Sequence, residues 1–148
     1  MERSKMSYSK SDQTKKVKIK RVVVKSVPQL KKTVQKYVNK LVRLRDQNEP
    51  CMACQKPCKD EGDASHLVAQ GSSGFLRYNL DNIWKCCTSC NRFKHGNLLE
   101  FERNLIKKIG KERVDYLWDH RNDTKQWKRP ELEELLEQTK KEIKQYEE

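Results

Sequence analysis

Cys51-Met-Ala-Cys54 and Cys87-Thr-Ser-Cys90 are the two stretches on which the fold turns. Two Cys-x-x-Cys pairs a few dozen residues apart have the spacing of a structural zinc site with four cysteine ligands, each pair offering two thiolates to one tetrahedral ion. Such a site pins two distant segments together. The pinned segment carries Asp63-Ala-Ser-His66, the turn-rich Gly71-Ser-Ser-Gly74 and Asn79-Leu-Asp-Asn82, and Asn91 directly follows the last cysteine. The polar residues that could do chemistry therefore lie inside or beside the staple. An even count of six cysteines also admits a disulfide framework. The Cys-x-x-Cys spacing is the wrong pattern for one, and a reduced compartment favours metal. Cys58 and Cys86 fall outside the ligand set and read as spare thiols.

The composition explains why a staple is needed. A chain of 148 residues makes one domain, or a small domain with arms. Only 34% of it is hydrophobic and 36% is charged, so the core is small and gains from a metal. A structural zinc supplies roughly 10 kcal/mol of apparent folding free energy in small fingers. No apolar run approaches the ~18–20 residues that span a bilayer, and nothing at the start reads as a signal peptide. The expectation is a soluble, cytoplasmic protein.

Charge is placed unevenly. Residues 1–45 hold 15 Lys/Arg and 2 Asp/Glu, and the remainder 18 and 19, so the whole net charge of +12 comes from the N-terminal third. A lysine-rich arm neutralises phosphates and releases their counterions, which makes it an efficient binder of nucleic acid; a solvated tail is the bland alternative. Residues 1–27 read as a disordered basic arm, 28–120 as the stapled domain and 121–148 as a charged C-terminal helix.

Periodicity places the elements. Pro28 suits the first turn of a helix, and Leu30, Val34, Tyr37, Val38, Leu41 and Leu44 recur at helical spacing to about Gln47. The opposite face, Lys31, Lys32, Lys36, Lys40, Arg43 and Arg45, is predicted to meet phosphates. Short strands are predicted over 64–69 and 80–85. A helix should start near Cys90 and break at Gly96-Asn97. Another spans 98–109 with Gly110 as its C-cap. A short helix around Val114, Leu117 and Trp118 follows, then a final one of about sixteen residues opened by Pro130. The tryptophans read as packing residues.

Knuckle, strand with His66, turn, Asn82, knuckle, helix with Asn91: this order is the ββα-metal arrangement, and its residues resemble the HNH endonuclease motif. The fold class expected is therefore α+β, a small zinc-stapled HNH-like core with flanking helices. The resemblance narrows further. Tyr37 to Asp46 with Cys51–Cys54, Ala64-Ser-His-Leu67, Leu76-Arg-Tyr-Asn79, Asn82-Ile-Trp-Lys-Cys-Cys87, Cys90-Asn-Arg-Phe-Lys94 and Asn104 to Gly110 look like the NinG (Rap) family of phage recombination proteins. That likeness implies structure-specific cutting of branched DNA in an infected bacterial cell. A second copy of the chain and other phage recombination proteins are the further candidate partners.

The chemistry explains the residue types. Phosphodiester hydrolysis needs a base for water and a cation for the phosphate. His66, with an unperturbed pKa near ~6.5, is the candidate base. Asn82 is expected to orient the loop or the histidine. Asn91 offers a hard oxygen to Mg²⁺ or Mn²⁺. Many HNH enzymes have an acidic residue just before the histidine; here Ser65 stands there. Asp63, on the same strand face by the period of two, is the candidate second ligand, with His95 as the alternative. Each residue has a plainer reading: His66 as a core or zinc-ribbon histidine, Asn82 as a turn residue, Asn91 as a helix cap. The matching alternative for the whole chain is a non-catalytic zinc-ribbon module that binds nucleic acid.

Overall fold

A computed structural model describes residues 22–148, so nearly all of the basic arm predicted over 1–27 lies outside the described residues. Helix α1 (Val27–Arg45) begins where the sequence signals it. Ser26 and Gln29 form a reciprocal capping box, and Pro28 sits in the first turn. Its apolar stripe, Leu30, Val34, Val38, Leu41 and Val42, is buried. The opposite face is not the open cationic surface that the spacing predicts. Lys32 and Lys36 are exposed, but Lys40 pairs with Glu147, Arg43 with Glu61, and Arg45 turns inward.

Strands β1 (Asp63–His66) and β2 (Ile83–Cys86) form an antiparallel pair in which Ser65 faces Trp84 and His66 faces Ile83. Both are shorter than predicted. β1 stops at His66 because the backbone of Val68 is taken by the Asn82 side chain instead of a strand partner. Leu80–Asn82, read as strand, is a single 3-10 turn capped by Asn79. All four residues of β2 are buried, Lys85 among them. Arg45 anchors α1 here: its guanidinium bonds the Leu80 and Ile83 carbonyls at 3.1 and 2.8 Å, lies 3.9 Å over the Trp84 ring and pairs with the buried Asp46, which accepts from the Lys85 amide.

Past the second knuckle the predicted helix is only a wide π-helical turn, Ser89–Phe93. His95, Gly96 and Asn97 all have positive φ (49°, 79° and 49°), which no α-helix accommodates. Helix α2 (Leu98–Ile109) ends at Gly110, whose φ of 92° suits glycine. Helices α3 (Lys111–Asp119) and α4 (Arg129–Glu147) complete the chain. α4 is no free extension: Leu132 and Ile143 are buried, and α4 packs on α1. Two apolar clusters result. One gathers the first knuckle, Leu67, Leu76, Phe101, Leu105, Val114 and Leu117; the other joins α1 and α4 through Val34, Val38, Tyr78, Ile83 and Leu132. Among the described residues no helix is long and apolar enough to cross a membrane.

Candidate functional site

Cys51, Cys54, Cys87 and Cys90 converge, with all four sulfurs within 4.8 Å of one another. Tetrahedral zinc with Zn–S bonds of ~2.3 Å puts its sulfurs about 3.8 Å apart, and Cys54 and Cys87 lie 3.8 Å apart. The donor set thus fits one zinc ion. The surroundings are built to hold it. The Cys54 amide points at the Cys51 sulfur, the Asn97 side chain donates to the Cys90 sulfur, and the Met52 amide bonds the Lys85 carbonyl on β2. Asn104 of α2 donates to the Met52 and Ala53 carbonyls, tying that helix to the first knuckle. The Cys86 thiol beside Cys51 holds that sulfur in its thiolate form, down to about 3, while burial pushes Cys90 up to about 12. A divalent cation is what allows all four to ionise together. Cys58 and Cys86 stand outside the cluster, as the spacing implies. The hydrogen bond to Cys51, then burial, keeps Cys86 a neutral thiol.

Beside the cluster lies an open cleft of about 370 Å³, lined by His66, Asn91 and His95 together with Ser72, Arg121 and Asn122. Each is fixed by a different element. His66 ends β1, and its Nε2 sits 3.0 Å from the Arg77 carbonyl. A carbonyl oxygen only accepts, so Nε2 carries the hydrogen and Nδ1 keeps the lone pair. Burial pushes the protonation of this imidazole below its usual range, which keeps it neutral. Asn82, fully buried, accepts from the Val68 amide at 2.8 Å and donates to the Val68 carbonyl at 2.9 Å. It holds the start of the loop that follows His66.

Asn91 sits on the π-helical turn one residue after Cys90. A carboxylate only accepts, so its amide nitrogen faces Asp63 at 3.0 Å; its carbonyl oxygen then accepts from the Ser65 hydroxyl at 2.6 Å. Asp63 and Ser65 thus share the strand face the period of two assigns them, but Asp63 is not part of the cleft lining. It stands behind Asn91, where Arg92 also approaches it at 3.7 Å. Sequence reasoning missed three contributors. Ser65 was legible only as the residue in place of an acid, the Arg77 carbonyl leaves no trace in a sequence, and Arg121 lies outside every motif.

The cysteine cluster and the two-stranded sheet with its flanking helices define a small α+β protein with a zinc-type staple. Residues 2–148 match the family described as bacteriophage lambda NinG protein, and the chain belongs to that family. Among its relatives, protein ninG of Escherichia phage lambda is 36% identical over 107 residues, 72% of this chain and 52% of that protein. Protein ninG of Salmonella phage P22 is 35% identical over 100 residues, 68% of this chain and 49% of that one. The chain spans about half the length of these relatives. No solved structure matches it significantly.

Proposed function

We propose that the chain is a metal-dependent DNA endonuclease of the HNH type that acts on branched DNA in phage recombination. The observation that carries this reading is the cleft: His66, Asn91 and His95 line one opening, with His66 held in the tautomer that leaves Nδ1 able to accept a proton. In the proposed reaction, a water gives its proton to Nδ1 of His66 while its oxygen bonds to phosphorus. The bond from phosphorus to the leaving deoxyribose oxygen breaks, and that oxygen takes a proton from solvent. Asn82 keeps His66 in place by fixing the backbone at Val68. Asp63 and Ser65 orient the Asn91 amide.

Asn91 and His95 are the residues that would hold a Mg²⁺ or Mn²⁺ ion. An amide oxygen and an imidazole leave most of the shell to water and substrate, which Mg²⁺ tolerates because it dehydrates reluctantly. Such an ion supplies positive charge at the phosphate. The cations of the arm before Pro28 supply affinity for the backbone.

Cleavage of labelled branched and linear DNA, with and without Mg²⁺ or Mn²⁺, tests the reading. General-base catalysis typically contributes ~10²–10⁴-fold, so His66→Ala should lose about that much rate while retaining zinc and DNA binding. Cutting by His66→Ala at the wild-type rate, or a wild-type chain that binds but never cuts, would leave a non-catalytic zinc-ribbon module as the better account.

A further inference from the structure

Phe93 is out of place. It is a large aromatic with 79% of its surface exposed, at the end of the π-helical turn. The turn is clamped just before it. Cys90 is buried in the sulfur cluster, and Asn91 is bonded to Asp63 and Ser65. On the far side the Asn97 side chain donates to the Cys90 sulfur. Phe93 is thus an exposed ring on a turn tethered on both sides, two residues from a lining residue of the cleft. Leu99 is also exposed at 69% nearby in sequence, and Leu98 lies on the cleft wall. Arg92, which also approaches Asp63 at 3.7 Å, and Lys94 flank Phe93 in sequence, and both are exposed.

An aromatic between two cations is complementary to a nucleotide, whose base stacks while its phosphates pair. In continuous B-form duplex both faces of every base are covered by its neighbours. Apart from the terminal pairs at duplex ends, a free face exists only where stacking is interrupted, at a branch point, a gap or a single strand. We infer that Phe93 stacks on an unstacked base beside the scissile phosphate and is the element by which this chain selects branched over continuous DNA. This rests on the nuclease reading for the position of the cut, but the contact itself is a binding event.

The test uses the full chain carrying His66→Ala, so that substrate survives. Its affinity is measured for a three-way DNA branch with 2-aminopurine at the branch point, and for a linear duplex of the same sequence. Phe93→Ala should weaken branch binding on the order of tenfold, within the range base–aromatic stacking supplies. Duplex binding should stay unchanged, and the change in 2-aminopurine fluorescence on binding should vanish. Phe93→Trp should restore both and Phe93→Leu neither, which separates stacking from mere apolar contact. Equal loss on branch and duplex, or no loss on either, overturns the inference. So does an altered sedimentation of Phe93→Ala with unchanged branch binding, which would make the patch a contact between two copies. Absence of cleavage by the wild-type chain alongside selective loss of branch binding in Phe93→Ala would sink the nuclease reading and leave this contact standing.

Discussion

The two apolar clusters differ in what they enclose, and β2 is the seam between them: Ile83 belongs to the cluster that joins α1 and α4, whereas Trp84 and Cys86 belong to the one beside the cysteines. On the α1–α4 side, Val34, Val38, Ile83 and Leu132 are fully covered and need nothing but burial. On the other side, α2 and α3 meet a knuckle whose four sulfurs repel one another once ionised unless a cation sits among them. The cleft belongs to this second side, through Asn91 and its neighbour Cys90. Both sides are packed apolar cores, with Phe101, Leu105, Val114 and Leu117 covered as fully as Val34 and Leu132; the contrast teaches that the cleft was put on the side whose packing also encloses the four cysteines.

The sharpest way to break the contrast is to remove the metal. Chelation, or Cys87→Ser, should remove about 10 kcal/mol of apparent stability from the stapled side. Amide exchange should then collapse in β2, α2 and α3. Equal protection with and without zinc would mean that sulfur is not what holds this side. A smaller effect is expected on the platform. Leu132→Ala should cost about 2–5 kcal/mol by denaturant melting, with the zinc content of the folded protein unchanged. Loss of zinc in that variant would show that the two sides are one cooperative unit.

The smallest effect concerns His66. Burial lowers its folded-state pKa, so just below pH ~6.5 the unfolded chain binds more protons than the folded one. Stability should therefore fall as the pH drops from about 6.5 toward the folded pKa, and be flat in this group above it. His66→Gln, whose amide can still donate to the Arg77 carbonyl, should remove that part of the slope. An NMR titration of His66 with its midpoint at or above ~6.5 would contradict this.

Much of this was legible in the sequence because it rests on local rules. Helix α1 follows from Pro28 and its apolar spacing, the end of α2 from Gly110, and the sulfur cluster from the knuckle spacing. What escaped rests on long-range contacts. Arg45 reads as one more cation on a phosphate-facing helix, yet Trp84 and two distant carbonyls claim it. Lys85 is buried because β2 is covered on both faces, where an alternating strand would expose it. In the candidate site the residues were read from their order, but their pairing was not: Asp63 supports Asn91 instead of lining the cleft. The break at Gly96-Asn97 was legible, but the segment before it is a π-helical turn that ends at Phe93 and not the helix expected there.

One peptide unit, a Cα–Cα step of about 3.8 Å, joins Cys90 to Asn91. No spring lies between the sulfur cluster and the cleft. A larger thiophilic ion in the cluster would push the Cys90 sulfur outward by tenths of an ångström, and the adjoining amide would have to follow. On the nuclease reading, where misplacement by ~1 Å can cost a reaction about 10²-fold, the cysteines would act as a gauge block as much as a clamp: the size of the ion they hold would set the tolerance to which the cleft is machined.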